Sequence, residues 1–164
     1  MVQSESYVVR VLPGRWRDIK SDTLIKQFSA IFSDWPVIEF TDWAEISNAS
    51  DFWDGLCRDV VKPLNKRDLQ FVFHLGDVAR KSIFEIDEVL DIIGDYSSYG
   101  KVVLKLDCHE ADSLWCRLNG SDGKGSPGEL GAGAARERWL SIFNTMNIDF
   151  LQILEGCQTM QFSR

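Results

Sequence analysis

The chain has few residues suited to acid–base or nucleophilic chemistry. Its only histidines are His74 and His109, so any Ser-His or Cys-His arrangement would have to use one of them. His74 falls in the apolar run 69–75, which favours a hydrogen-bonded core histidine over a general base. His109 stands beside Cys108 and Glu110, but without the spacing of a nucleophile elbow or a metal site. We therefore predict that the protein is not an enzyme, with a small enzyme built on His109 and Cys108 as an alternative.

The cysteines and glycines do not form a cofactor motif. The four cysteines contain no Cys-x-x-Cys pair, and a chain of this apolar content does not need a disulfide framework. A zinc site from Cys108, His109 and Cys116 would lack the tight paired spacing of such sites, so buried, reduced cysteines are the preferred interpretation. No Gly-x-Gly-x-x-Gly or Gly-x-x-x-x-Gly-Lys pattern follows a predicted strand. We predict neither a cofactor nor a metal ion.

Acidic residues, by contrast, are concentrated in two segments. Residues 40–59 hold five acids and one base, and residues 84–95 hold five acids and no base, in a chain whose net charge is −7. On a helix, Glu88, Asp91 and Asp95 fall in one stripe. A solvated helix face is the ordinary interpretation of such a stripe, but like charges without interleaved lysines repel one another and do not help folding. The pattern indicates a basic protein partner, and it disfavours direct binding of nucleic acid.

The composition indicates one globular domain over residues 1–164. The chain is 45% apolar and 26% charged, which is within the range of folded proteins. No apolar run reaches the roughly 18 residues that a membrane helix needs, and the N-terminus lacks the pattern of a signal peptide. We therefore predict a cytoplasmic protein without membrane contact. The Gly- and Ser-rich stretch 119–133 predicts a mobile loop.

Hydrophobic periodicity predicts alternating strands and helices. Strands are predicted at 7–12, 37–40, 69–75, 102–106 and 150–154, the last at an edge of the sheet. Helices are predicted after an N-cap at Ser21, from a cap at Ser47 or Ser50 up to Pro63, at 84–96 with Gly100 as the stop, and at 138–146. The apolar run 69–75 is typical of a parallel strand covered on both faces. Together these elements predict an α/β fold with a small, largely parallel sheet flanked by helices.

Two stretches carry a resemblance to a known family. Residues 48–56 read Asn-Ala-Ser-Asp-Phe-Trp-Asp-Gly-Leu, and residues 87–106 run from an acidic helix through Gly100 to a strand. They resemble the signature helix Asn-x-Asp-Ala-x-Trp-Asp-x-Leu and the last helix and strand of the barstar-like ribonuclease inhibitors, small intracellular proteins that block a secreted ribonuclease. The chain departs from that family at Ser50, where the family has an acid, and lacks the Tyr-Tyr-Gly turn that should precede the helix. The resemblance implies a barstar-like fold with N- and C-terminal additions, since residues 108–164 have no counterpart.

The resemblance also implies roles for particular residues. Asp54 would enter the ribonuclease active site and Asp95 would be the acid of the later helix, while Asn48 and Trp53 would shape the first helix and its surroundings. Such a site is basic because it binds phosphate, and a carboxylate can take the phosphate's place. With the acids of the charged segments added, the predicted partner-binding residues are Asn48, Asp51, Trp53, Asp54, Glu88, Asp91 and Asp95.

These observations predict an immunity protein, a toxin inhibitor that binds and blocks a basic toxin, with a ribonuclease as the first candidate. An immunity or adaptor protein for a partner that is not a nuclease is the nearest alternative, because the acidic helices alone would support it. A structural subunit is a further alternative, in which exposed aromatic residues such as Trp16, Trp35 and Trp115 would be buried in an oligomer.

Overall fold

The computed structural model describes residues 5–120 and 132–164, so most of the loop predicted at 119–133 lies outside the described residues. The strands are β1 (Ser6–Val9), β2 (Val37–Phe40), β3 (Leu69–His74), β4 (Gly100–Asp107), β5 (Phe150–Glu155) and β6 (Gln158–Ser163). The helices are α1 (Trp16–Ile19), α2 (Asp22–Asp34), α3 (Ala49–Leu56), α4 (Lys62–Leu64), α5 (Ile83–Tyr96), α6 (Cys108–Leu118) and α7 (Ala132–Thr145). A π-helical turn, Cys57–Val61, joins α3 to α4, and a 3-10 turn, Val78–Arg80, precedes α5.

The strands form one sheet in which each strand pairs with the next along the chain, in the order β1-β2-β3-β4-β5-β6. The pairings from β1 to β5 are parallel, and β6 pairs antiparallel with β5 through a hairpin. The predicted α/β class with a largely parallel sheet is confirmed. Because parallel crossovers are right-handed, a sheet built in this order places its connecting helices on one face.

An aromatic cluster fills the centre of the core between the sheet and the helices. The Phe40 and Phe73 rings stack with their centroids 4.7 Å apart, and the Tyr96 ring meets both edge-on at 5.2 and 5.0 Å. Trp53 of α3 packs on the same two phenylalanines. Since burying each such ring contributes roughly 1.5–3 kcal/mol, this cluster fixes α3 and α5 against the centre of the sheet.

The opposite face of the sheet does not join this core. In β3 the core contains Leu69, Phe71 and Phe73, and the alternating residues Gln70, Val72 and His74 lie outside the core cluster. Val72 is buried at 8% exposure, whereas Gln70 and His74 are half-buried. The second face of this strand is therefore covered at Val72 and not along its whole length as predicted. The apolar run suggested helices on both faces. In a parallel sheet whose strands pair in chain order, however, right-handed crossovers place the connecting helices on one face.

Several helix boundaries follow the predicted signals and others do not. The Ser21 hydroxyl accepts the Leu24 N–H, so the predicted cap of α2 is confirmed. The cap of α3 was wrongly predicted, because Asn48 occupies the N-cap position and Ser50 lies inside the helix, where its hydroxyl accepts the Trp43 Nε1–H at 2.8 Å.

Pro63 and Gly100 also have roles that differ from the predicted ones. Pro63 does not end the second predicted helix. It lies in the first turn of α4, directly after the π-helical turn. The helix ends instead at the residue after α4, Asn65, whose φ of 52° is left-handed. Gly100 is not the stop of α5 but the first residue of β4. A Cβ there would collide with the Leu69 carbonyl oxygen, so the glycine is required by a close approach of two strands.

The C-terminal third completes the same fold. Helix α6 was not predicted, α7 begins before the predicted residue 138, and β5 is an inner strand because the unpredicted β6 forms the edge. The buried Asp112 of α6 accepts hydrogen bonds from Arg138 at 3.0 Å and Trp139 Nε1 at 2.9 Å, which ties α7 to α6. Among the described residues, none of the helices has the length and apolar character needed to cross a bilayer.

Candidate functional site

Helix α3 is fixed between α1 and α5. The Tyr96 hydroxyl of α5 donates a hydrogen bond to the backbone carbonyl of Trp53 at 2.6 Å. On the other side, α3 lies so close to the Trp16 indole that a Cβ on Gly55 would overlap the ring. Because both neighbours are themselves buried in the core, the outward face of α3 has a defined orientation relative to α5.

The first turn of α3 is tied to the loop that follows β1. The Asn48 amide donates to the carbonyls of Leu12 at 3.0 Å and Gly14 at 2.7 Å. The Asp51 carboxylate accepts the backbone N–H of Trp16 at 2.6 Å, although its side chain is otherwise exposed. Asn48 and Asp51 therefore both hold the loop to the helix. Any effect of these two residues on partner binding would come partly from their effect on the position of α3.

Trp53 is fully buried, in contrast to its inclusion among the predicted partner-binding residues. Since no part of its side chain reaches the surface, a direct contact with a partner is excluded in this conformation. Its ring instead supports α3 from beneath, through Phe40 and Phe73.

Asp54 lies on the outward side of α3. Its side chain is 45% exposed and its carboxylate is 2.7 Å from the Arg58 guanidinium one turn later. An exposed ion pair at this spacing contributes only about 0.3–0.5 kcal/mol, so a more basic partner would replace Arg58 at a small cost. Asp54 is therefore available for binding.

Asp59, only one turn further on, is held inside the fold. Its carboxylate accepts the Trp16 Nε1–H at 2.6 Å and lies 3.6 Å from Lys20. The hydrogen bond from Trp16, supported by the charges of Lys20 and Arg58, lowers the pKa of Asp59 in spite of some burial. Asp59 is therefore a structural acid.

The exposed face of α5 carries the unpaired charge. Glu88, Asp91 and Asp95 are all exposed, and none of them has a cation within 4.0 Å among the described residues. Asp87 and Phe84 complete this face, because they precede Asp91 by one and two helical turns. The Phe84 side chain is 81% exposed, which makes it a candidate apolar contact. Sequence reasoning did not include either residue in the site, although both follow from the same helical spacing.

Asp54 of α3 and Asp95 of α5 lie near each other, because their chain neighbours Trp53 and Tyr96 are joined by a hydrogen bond of 2.6 Å. Burial raises the pKa of Cys57 to about 12, and the negative charges of Asp95 and Asp54 add to the shift. Asp54 of α3 and Asp95 of α5 therefore both act on the same thiol, from different helices. The fold brings the two acids that the resemblance had singled out into one neighbourhood, which we call the α3–α5 acidic surface (Asp54, Asp87, Glu88, Asp91 and Asp95).

The residues of the enzyme alternative do not form a nucleophile–base pair. His109 is exposed in the first turn of α6, and Cys108 beside it is half-buried. Glu110 belongs to the capping box of α6, where it accepts the Asp107 N–H at 2.9 Å. Burial raises the pKa of Glu110 against the effect of this hydrogen bond. Its carboxylate is thus engaged with the helix end.

His74 lies on the helix-free face of the sheet and bonds to an acid. Its Nε2 is 2.8 Å from the Glu39 carboxylate, whose other oxygen accepts the Ser6 hydroxyl at 2.7 Å. Because Ser6 donates to Glu39 and has no bond to His74, the three residues lack the serine–histidine contact that a nucleophile would need. No group of three or more metal-binding side chains occurs among residues 5–120 and 132–164.

The aromatic residues of the subunit alternative are less exposed than that alternative requires. Trp16 is 1% exposed, and Trp35 and Trp115 are half-buried against the core. The Trp115 ring also carries the Arg138 guanidinium above it at 5.6 Å.

The comparisons with known proteins gave no relative. No family model, no curated protein and no solved structure matches the chain. The evidence on function is therefore the chemistry of the described residues.

Proposed function

We propose that this chain is an intracellular immunity-type inhibitor that binds and blocks a basic toxin through the α3–α5 acidic surface. A ribonuclease is the first candidate for the toxin. The observation that carries the proposal is the hydrogen bond from the Tyr96 hydroxyl to the Trp53 carbonyl, which brings the adjacent Asp95 and Asp54 near each other. Beside them stand acids of α5 that have no cation within 4.0 Å among the described residues.

The charge arrangement supports binding more than it supports folding. Four neighbouring carboxylates on α5 repel one another and would be relieved by a positively charged partner. The carboxylates stand on helices that the aromatic cluster holds rigidly, so little side-chain or backbone order would have to be gained on binding. Association with a basic protein would accordingly be fast and strongly weakened by salt.

The ribonuclease assignment has its own physical support. The active site of such an enzyme presents cationic groups to the phosphate of RNA, and a carboxylate offers two oxygens to the same groups. The resemblance assigns this position to Asp54, whose side chain is 45% exposed and is paired with an exposed arginine. An inhibitor of this kind blocks substrate without any catalytic residue of its own.

A direct assay tests the proposal. The purified protein would be titrated into a basic ribonuclease encoded next to its gene, with RNA cleavage measured at low and high salt. We expect stoichiometric inhibition that weakens as salt increases. Binding to that protein without loss of cleavage would reject the inhibitor role and leave an adaptor for a basic partner, and absence of binding would reject the proposal.

A further inference from the structure

A groove runs along α5 on the side of the C-terminal third. Its acidic rim is formed by Asp87, Asp91 and Asp95 of α5. The opposite wall comes from Thr145 at the end of α7 and from Asn147 shortly after it. Residues 108–164, which have no counterpart in the barstar-like pattern, thus build one side of a site whose other side is the acidic helix.

The lining of the groove also contains three apolar side chains, which we call the floor. Leu90 and Leu118 are partly buried against the core, and Met146 is 5% exposed. Thr145 and Asn147 of the far wall are exposed. An occupant would therefore meet apolar side chains as well as negative charge.

The far wall is fixed to the rest of the fold. The Asn147 amide donates to the Ser97 hydroxyl at 2.7 Å, and the Arg164 guanidinium donates to the Met146 carbonyl. A Cβ on Gly94 of α5 would lie 3.6 Å from Asn147, at ordinary contact distance, so α5 and the segment after α7 are direct neighbours. Because the Asn147–Ser97 bond links this segment to the end of α5, the groove is formed before any partner binds.

We propose that this groove binds a basic amphipathic segment of a partner protein, with apolar side chains on the floor and lysines or arginines along the rim. The inference rests on the proposed function, because the segment would belong to the same basic partner and Asp95 is common to the groove and the α3–α5 acidic surface. Charge complementarity decides the class of occupant. The acidic rim repels nucleic acid and anionic lipid, and a neutral ligand would leave three carboxylates without partners.

The test uses the full chain and a defined probe. The probe is a fluorescent helical peptide of about 18 residues with leucines at i, i+3, i+4 and i+7 and lysines elsewhere, and a glutamate–leucine peptide of the same pattern is the reference. Anisotropy would measure binding to the wild type and to two pairs of variants. Asp91→Asn removes a rim charge, and Glu137→Gln removes a charge from an exposed acid of α7 that lies outside both the groove and the α3–α5 acidic surface. Thr145→Arg blocks the wall, and Asn144→Arg makes the same change at an adjacent exposed residue outside it.

The expected result is binding of the lysine–leucine peptide alone. Asp91→Asn and Thr145→Arg should each weaken this binding about fivefold or more, and Glu137→Gln and Asn144→Arg should each weaken it less than about twofold. Equal losses within each pair would show general attraction to a negative surface and would overturn the groove. Failure of the wild type to bind the peptide would overturn it as well. Neither of these outcomes would contradict inhibition of the ribonuclease. Conversely, groove-specific binding of the peptide by a protein that does not inhibit the ribonuclease would reject the proposed function and support the groove.

Discussion

Single acids near α3 and α5 have different roles because different groups surround them. Asp54 and Asp95 are outward-facing, whereas Asp59 accepts the Trp16 indole N–H and Asp51 accepts a backbone N–H. Removing the carboxylate of Asp59 or Asp51 is expected to lower the free energy of unfolding, since a buried N–H donor of Trp16 then loses its acceptor. Substitutions must therefore be chosen by environment and not by charge alone.

Asp54→Asn and Asp95→Asn test the binding surface. Each is expected to weaken partner binding by about 2 kcal/mol or more, as charged residues at the centre of an interface do, while stability changes by less than about 0.5 kcal/mol. Isothermal titration with the basic partner and urea denaturation of each variant measure the two effects. Glu155→Gln, in the exposed β5–β6 hairpin, is the control. An equal loss of affinity in that control would contradict a localised surface.

Glu39 predicts how stability depends on pH. Burial raises its pKa, but the hydrogen bonds from Ser6 and His74, with the charges of His74 and Lys105, outweigh burial and hold the pKa below the ordinary value of 4.5. A carboxyl group whose pKa is lower in the folded than in the unfolded state stabilises the fold at pH values above its unfolded pKa. This stabilisation is lost as the pH falls through the folded pKa. We expect the free energy of unfolding to decrease below about pH 4.5, and Glu39→Gln to reduce that dependence, in urea titrations. Unchanged pH dependence in Glu39→Gln, relative to Glu155→Gln, would contradict this assignment.

At the scale of elements, the contact between β3 and β4 depends on a missing side chain. Gly100→Ala is expected to destabilise the protein by about 2 kcal/mol or more, because the added Cβ collides with the backbone carbonyl of Leu69 and a strand must shift. Gly94→Ala is the matched control, since its Cβ fits at 3.6 Å from Asn147 and alanine favours the helix. Thermal and urea denaturation compare the two variants. Similar destabilisation by both would show that the strand contact is not the cause.

At the scale of the whole molecule, a buried polar contact holds the two helices of the C-terminal third together. Asp112 lies between α6 and α7, with Arg138 and Trp139 as its donors. Asp112→Ala leaves the 8%-exposed Arg138 without its carboxylate and is expected to cost about 3–5 kcal/mol of stability. Asp112→Asn, which keeps an acceptor for Trp139, should cost less. Urea denaturation measures both, and an Asp112→Ala variant as stable as the wild type would show that α7 docks without this contact.

Features that depend on residues a few positions apart were predictable. The strand and helix periods gave the α/β class and most elements, and the spacing of Glu88, Asp91 and Asp95 gave the exposed stripe. The Ser21 cap followed from local chemistry in the same way. Errors arose at Pro63 and Gly100, whose local preferences were overruled by a π-helical turn and by a neighbouring strand.

The sequence by itself determined most of the helical and extended segments and where the negative charge is concentrated, because these properties are set by neighbouring side chains. Only the tertiary structure decided that Trp53 is buried while the Asp54 side chain is 45% exposed, and that Gln70 and His74 of β3 lie outside the core. It also decided that Asn147 meets Ser97, fifty positions earlier, to form the groove beside α5. Such contacts depend on strand order and on the packing of distant elements, which no local pattern of residues specifies.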